Sequence, residues 1–229
     1  NQRKFPIRPT LQVEIGNFMQ RIGPDRTVKN RWLWKGMQRI GLDIINIAAD
    51  DVKELRELGL VLRENGYFVS ANLISEESGK PLVSPYIIKK ISLPKEGRYF
   101  RIGFIGFSSP DRSLEEESAN YFWEDPLISA KKWLPELNSK SDFVIVLACM
   151  PNEDAIQLAI DNSNVDIFLN GFKHQGSMPK IKINHSTIIY AEDEAKSLGE
   201  LSFSLKESSQ VKVQPLNYRL TKKVKDDPE

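Results

Sequence analysis

Ile102-Gly103-Phe104-Ile105-Gly106 has no polar side chain at either parity, so a strand built from it needs cover on both faces. Tyr86 to Leu93 precedes it, and a turn around Lys95-Glu96-Gly97 joins the two runs into a hairpin. Downstream, Asp125-Pro126 starts a helix that reaches about Asn138, with proline in its first turn. The strongest strand of the chain, Phe143-Val144-Ile145-Val146-Leu147, follows it, and then a helix near Asp154 to Ile160 and a strand from Val165 to Leu169. Upstream, Leu11 to Ile15 reads as a strand that turns at Gly16-Asn17. A helix with a core stripe of Leu33, Met37 and Ile40 runs to a stop at Gly41. Asp43 to Ile47 is the next strand, Asp50 or Asp51 caps a helix through about Leu58, and Phe68 to Leu73 is a third strand. This is βαβα order. After Gly171 the helices stop, and Lys180 to Asn184, Thr187 to Ala191, Leu198 to Leu205 and Val211 to Leu220 read as an antiparallel layer. The order implies an α/β protein of two packed sheets with helices outside, because every strand face then finds cover.

Composition narrows the function classes. The 229 residues suffice for a large core, and 40% apolar with 28% charged residues are ordinary globular values. With 32 Lys+Arg against 31 Asp+Glu the net charge is +1, so no basic field points to nucleic acid or to an anionic membrane. One cysteine, Cys149, excludes an internal disulfide and any four-cysteine zinc site. No apolar run approaches the roughly 20 residues of a membrane-spanning helix. Histidine is scarcer still, with only His174 and His185.

An ordered series of segments carries a resemblance over nearly the whole chain. It comprises Ser70-Ala71-Asn72-Leu73, Ile102 to Gly106 with Ser109-Pro110-Asp111, Glu124-Asp125-Pro126, Asp142 to Leu147, Asn170-Gly171-Phe172-Lys173-His174-Gln175 and Leu198-Gly199-Glu200-Leu201. In this series the chain resembles the calcineurin-like metallophosphoesterases, and most nearly the N-terminal domain of bacterial 5'-nucleotidase-like exported proteins. The resemblance implies a four-layer αββα sandwich of two mixed sheets over residues 1–221, with the family's first strand and Asp-x-His motif lying before Asn1. Residues 222–229 read as a charged tail or linker. It further implies a two-metal phosphoesterase site on loops at strand ends, where two ions clamp the phosphate and activate a water.

At the positions where such a family places its ligands, this chain differs. Gly-Asp reads Gly16-Asn17, Gly-Asn-His-Glu reads Ala48-Ala49-Asp50-Asp51, the strand-end histidine is Cys149, and Gly-His-x-His reads Gly171-Phe172-Lys173-His174. A chain with two histidines cannot assemble the usual set. The expectation is therefore a catalytically inactive domain without a metal pair or other cofactor, whose ancestral site is marked by Asn17, Ala49, Asp50, Cys149, Phe172 and His174. Two alternatives stand beside it: a phosphoesterase or 5'-nucleotidase with a depleted site, and a nucleotide-binding module that does not hydrolyse.

If the loops keep family geometry, Cys149, His174 and Asp50 are plausible ligands of a single zinc ion. The favoured reading is that Cys149 follows a buried strand as an inert small apolar residue and that His174 is a hydrogen-bonded relic. A Cys149–His174 nucleophilic dyad is disfavoured by acidic Asp50 and apolar Met150-Pro151 nearby.

With Leu33, Met37 and Ile40 toward the core, Trp32 and Trp34 fall about 100° to either side of the stripe, which leaves one of them for a protein partner. The competing reading is that both rings cover sheet edges. Tyr121-Phe122-Trp123 reads as an anchor for the following helix start. The expected role is an accessory subunit of a protein assembly, with no nucleic acid and no membrane span in the chain. Resemblance to exported proteins implies a periplasmic or other extracytoplasmic location, with membrane association through partners or an anchor outside this sequence.

Overall fold

The computed structural model describes residues 9–94, 97–109, 120–172, 180–191, 197–205 and 211–221. A three-stranded parallel sheet is ordered β1 (Val13–Glu14), β2 (Ile44–Asn46), β3 (Phe68–Val69). Helices α1 (Arg26–Ile40) and α2 (Ala49–Glu57) connect its strands. The next two strands, β4 (Leu73–Ser75) and β5 (Tyr86–Leu93), lead into β6 (Arg98–Ser108) and β7 (Tyr121–Trp123). Beyond α3 (Pro126–Lys140) come β8 (Phe143–Cys149), α4 (Asn152–Asp161), β9 (Ile167–Asn170), β10 (Lys180–Ile183) and β11 (Ser186–Tyr190). The second sheet has the order β10-β11-β9-β8-β6-β5. Strands β6, β8, β9 and β11 are parallel, with antiparallel β5 and β10 at its edges. A final hairpin pairs β12 (Ser197–Leu205) with β13 (Val211–Arg219).

Side-chain alternation builds four layers from this order. On β8, Phe143, Ile145 and Leu147 enter the core between the two sheets, whereas Val144, Val146 and Ala148 enter the core under α3 and α4. On β2, Ile44 faces the other sheet and Ile45 faces α1 and α2, as does Ile47 just beyond the strand. Strand β6 shows the same parity, and its two glycines set the layer spacing. A Cβ on Gly103 would fall 2.5 Å from Ser141 Oγ and 2.7 Å from Leu137 Cδ1 at the end of α3. One on Gly106 would fall 2.2 Å from Asn46 Oδ1 and 2.9 Å from the Val69 carbonyl oxygen in the first sheet. Each glycine thus admits a neighbouring layer on its own face. The αββα sandwich expected from the sequence is the one observed.

Several local expectations differ from what is found. The core stripe of α1 is Asn30, Trp34 and Met37, with Leu33 40% and Ile40 58% exposed. Asn30 sets this rotation. Its Oδ1 accepts the Gln20 amide at 2.8 Å, and its Nδ2 donates to the Gln20 carbonyl at 2.8 Å and to Glu54 Oε2 at 2.7 Å. These bonds satisfy a buried amide, so a polar residue lies where apolar periodicity predicts none. Trp34 consequently packs on Tyr67 and Phe68 inside the domain, which removes it as a partner-binding candidate. The single strand expected over Phe68 to Leu73 is two, because Leu73–Ser75 leaves the first sheet to pair with Tyr121–Trp123. Tyr121-Phe122-Trp123 is therefore a strand, with Tyr121 and Trp123 against the α1–α2 core and Phe122 exposed. Nor is the last third one antiparallel layer, since β11 extends the large sheet parallel to β9.

Candidate functional site

Buried amides and one serine stitch the strand ends of both sheets together. Asn46, the last residue of β2, donates from Nδ2 to the Ile15 carbonyl at 2.7 Å and to the Phe107 carbonyl at 3.3 Å. Ser108 Oγ, at the end of β6, donates to the Ile47 carbonyl at 3.1 Å. After β3, Asn72 Oδ1 accepts the Ser108 amide at 3.1 Å, and its Nδ2 donates to the carbonyls of Ser108 at 2.7 Å and Glu124 at 2.9 Å. Asn170 Nδ2, ending β9, donates to the Met150 carbonyl at 2.9 Å. A Cβ on Gly171 would lie 3.1 Å from Ile15 Cγ2, so the ends of β9 and β1 also meet. The carboxyl ends of β1, β2, β3, β6, β8 and β9 therefore form one edge, where open α/β sheets usually place ligand sites.

The sequence-derived positions sit along that edge. Asn17 follows β1 with a φ of 60° and an exposed side chain; its amide N–H donates to Asp51 Oδ2 at 2.8 Å. Ala49 opens α2 and offers no donor or acceptor side chain. Asp50 is ion-paired with Arg21 at 3.1 Å. Cys149 ends β8 with 2% of its surface exposed, and Phe172 is half-buried, its amide donating to Asn170 Oδ1 at 3.2 Å. His174 lies outside the described residues.

Asp51, which the sequence marks as a helix cap and as the last residue of the altered Gly-Asn-His-Glu motif, organises this edge. It is fully buried, and its carboxylate accepts the amides of Asn17, of Met19 at 3.0 Å and of Ala48 at 3.0 Å. The last of these is half a capping box, since Ala48 has no side chain to return the bond. Burial pushes the Asp51 carboxyl up to about 7; the three amide bonds oppose the rise and the charge of Glu14 adds to it. Glu14 is itself shifted upward by burial, against hydrogen bonds from the amides of Gly16 and Ile15. Nothing in the sequence marks Arg21 or Glu14 for this edge, and Asn46 is not among the positions expected there. Only Asn46 left a signal in the sequence, as the one polar residue inside Ile44-Ile45-Asn46-Ile47.

The described residues do not fit a two-ion centre. Asp51 commits three of its carboxylate's roughly four acceptor sites to backbone amides, and Asp50 already faces a guanidinium. The unpartnered Oδ1 of Asn46 is wedged against β6 at Gly106 rather than turned toward open space. Among the described residues no three His, Cys, Asp or Glu side chains are grouped as ligands.

No protein-family profile matches the chain. A 2',3'-cyclic-nucleotide 2'-phosphodiesterase/3'-nucleotidase of Salmonella typhimurium is 35% identical over 88 residues, which are 35% of this chain and 14% of that protein. The sulfate thiohydrolase SoxB of Thermus thermophilus superposes with a TM-score of 0.71 at 15% identity, covering 90% of this chain and 38% of that one. A 5'-nucleotidase precursor of the same organism superposes with a TM-score of 0.63 at 18% identity, over 92% of this chain and 45% of that one. The chain thus spans less than half the length of these proteins. Its fold is the metallophosphoesterase type, as in 5'-nucleotidases.

Proposed function

We propose that this metallophosphoesterase-type domain does not hydrolyse phosphate esters and acts by association, as an accessory part of an extracytoplasmic assembly. One observation carries the reading. At the edge where the resemblance places metal ligands, the chain presents Asn17, Ala49, an Asp50 neutralised by Arg21, a buried Cys149 and Phe172. Intact packing beside such loops is the pattern of a scaffold, because fold alone does not carry chemistry. Extracytoplasmic placement is supported by the likeness to a nucleotidase made as a precursor.

The test is turnover of an aryl phosphate, nucleotides and a 2',3'-cyclic nucleotide with manganese, zinc or calcium added in turn. The expected outcome is no metal-dependent rate above the protein-free blank. Turnover abolished by His174→Ala would overturn the proposal, and so would two equivalents of transition metal per chain after dialysis. The second reading, a phosphoesterase with a depleted site, is favoured by the 35% identity to the cyclic phosphodiesterase. One equivalent of zinc lost in Cys149→Ser would support a mononuclear form of it.

A further inference from the structure

Helix α1 differs in charge from the other three. Its fifteen residues hold Arg26, Lys29, Arg31, Lys35 and Arg39 and no acid, in a chain whose net charge is only +1. Arg26 turns inward to Glu54 and Glu57. The other four basic residues are exposed. On the helical wheel Val28, Trp32, Lys35 and Arg39 share one ridge at four-three-four spacing, directly opposite the buried Asn30, Trp34 and Met37. Trp32 is 66% and Val28 57% exposed, and Lys35 Nζ stands 4.6 Å from the centre of the Trp32 ring. Trp32, the largest apolar ring exposed on this helix, thus has basic residues and no acid beside it on the helix itself.

We propose that the outer ridge of α1 docks the domain on an anionic lipid surface, with Trp32 and Val28 at headgroup depth and Lys29, Arg31 and Lys35 over the lipid charges. An indole with flanking cations suits a membrane–water boundary. Long basic side chains can lay their methylene stems along acyl surface while their heads reach phosphate. The ridge lies on the exposed side of α1, opposite its buried stripe, so it meets a planar, deformable surface without needing a matching pocket. This inference rests on α1 alone and is independent of whether the strand-end loops turn over any substrate.

Sedimentation with sucrose-loaded vesicles tests it, using phosphatidylcholine alone and phosphatidylcholine mixed with phosphatidylglycerol. The purified chain should partition onto the anionic vesicles only, and release as salt screens the contact. Trp32→Ala, and Lys29→Ala combined with Lys35→Ala, should each weaken partition about tenfold or more. Lys180→Ala with Lys182→Ala, exposed cations on β10, should leave it unchanged. Trp32 is one of four tryptophans, so the emission blue shift on anionic vesicles should be present in the parent and absent from Trp32→Phe. Equal partition of all variants, or no partition onto anionic vesicles, would overturn the proposal. So would capture of an acidic soluble protein by the same ridge without vesicle binding.

Discussion

At the scale of single residues, the buried carboxylate of Asp51 couples the domain to pH. Its folded-state carboxyl titrates near 7, against 3.8 for the ordinary side chain. Between those values the folded chain holds a proton that the unfolded chain has lost, so stability falls as pH rises through that window. The shift of Glu14 acts in the same direction. Thermal melts should show the melting temperature dropping between mildly acidic and mildly alkaline pH. Asp51→Asn should flatten most of that slope and leave the share of Glu14; an unchanged slope would show that Asp51 does not titrate there. At Gly106, alanine would strike the Val69 backbone as well as a side chain, and the expected loss is about 3 kcal/mol by urea denaturation. Gly103→Ala should cost less, since the nearest atoms belong to the side chains of Ser141 and Leu137.

At the scale of elements, α1 separates two tryptophans only two positions apart. Trp34 fills the core between α1 and β3, so Trp34→Ala should cost about 3–5 kcal/mol. Trp32→Ala should stay within about 0.5 kcal/mol, because its ring faces solvent. Chemical denaturation of the two variants side by side checks this, and equal losses would contradict the observed rotation of the helix. The rotation itself was hidden from sequence, since Leu33, Met37 and Ile40 form a plausible apolar stripe. Buried Asn30 wins because Gln20 and Glu54 satisfy it, and those partners come from outside the helix.

At the scale of the whole molecule, the two sheets depend on the same buried amides that build the strand-end edge. Asn72→Ala removes three hydrogen bonds that tie β3 to β6 and to the start of α3, at an expected cost of about 3 kcal/mol. Far- and near-ultraviolet circular dichroism should lose signal at the same lowered denaturant midpoint, as one cooperative unit does. Separate midpoints would mean that the layers unfold independently.

The four-layer order was legible in sequence because it follows from local pattern. Two-sided apolar runs such as Phe143 to Leu147 demand cover on both faces, which the helices give on one face and the second sheet on the other. The positions Asn17, Ala49, Cys149 and Phe172 came instead from the resemblance, as departures of residue type from the family's motifs. Tertiary structure alone decided which groups answer one another across the chain. Asp51 gathers amides from residues 17, 19 and 48, Arg21 reaches Asp50, and Asn46 seats against Gly106. Periodicity reports which face of an element is apolar. It carries no information about partners dozens of residues away, and those partners determine whether a buried polar group stabilises the fold or opens a site.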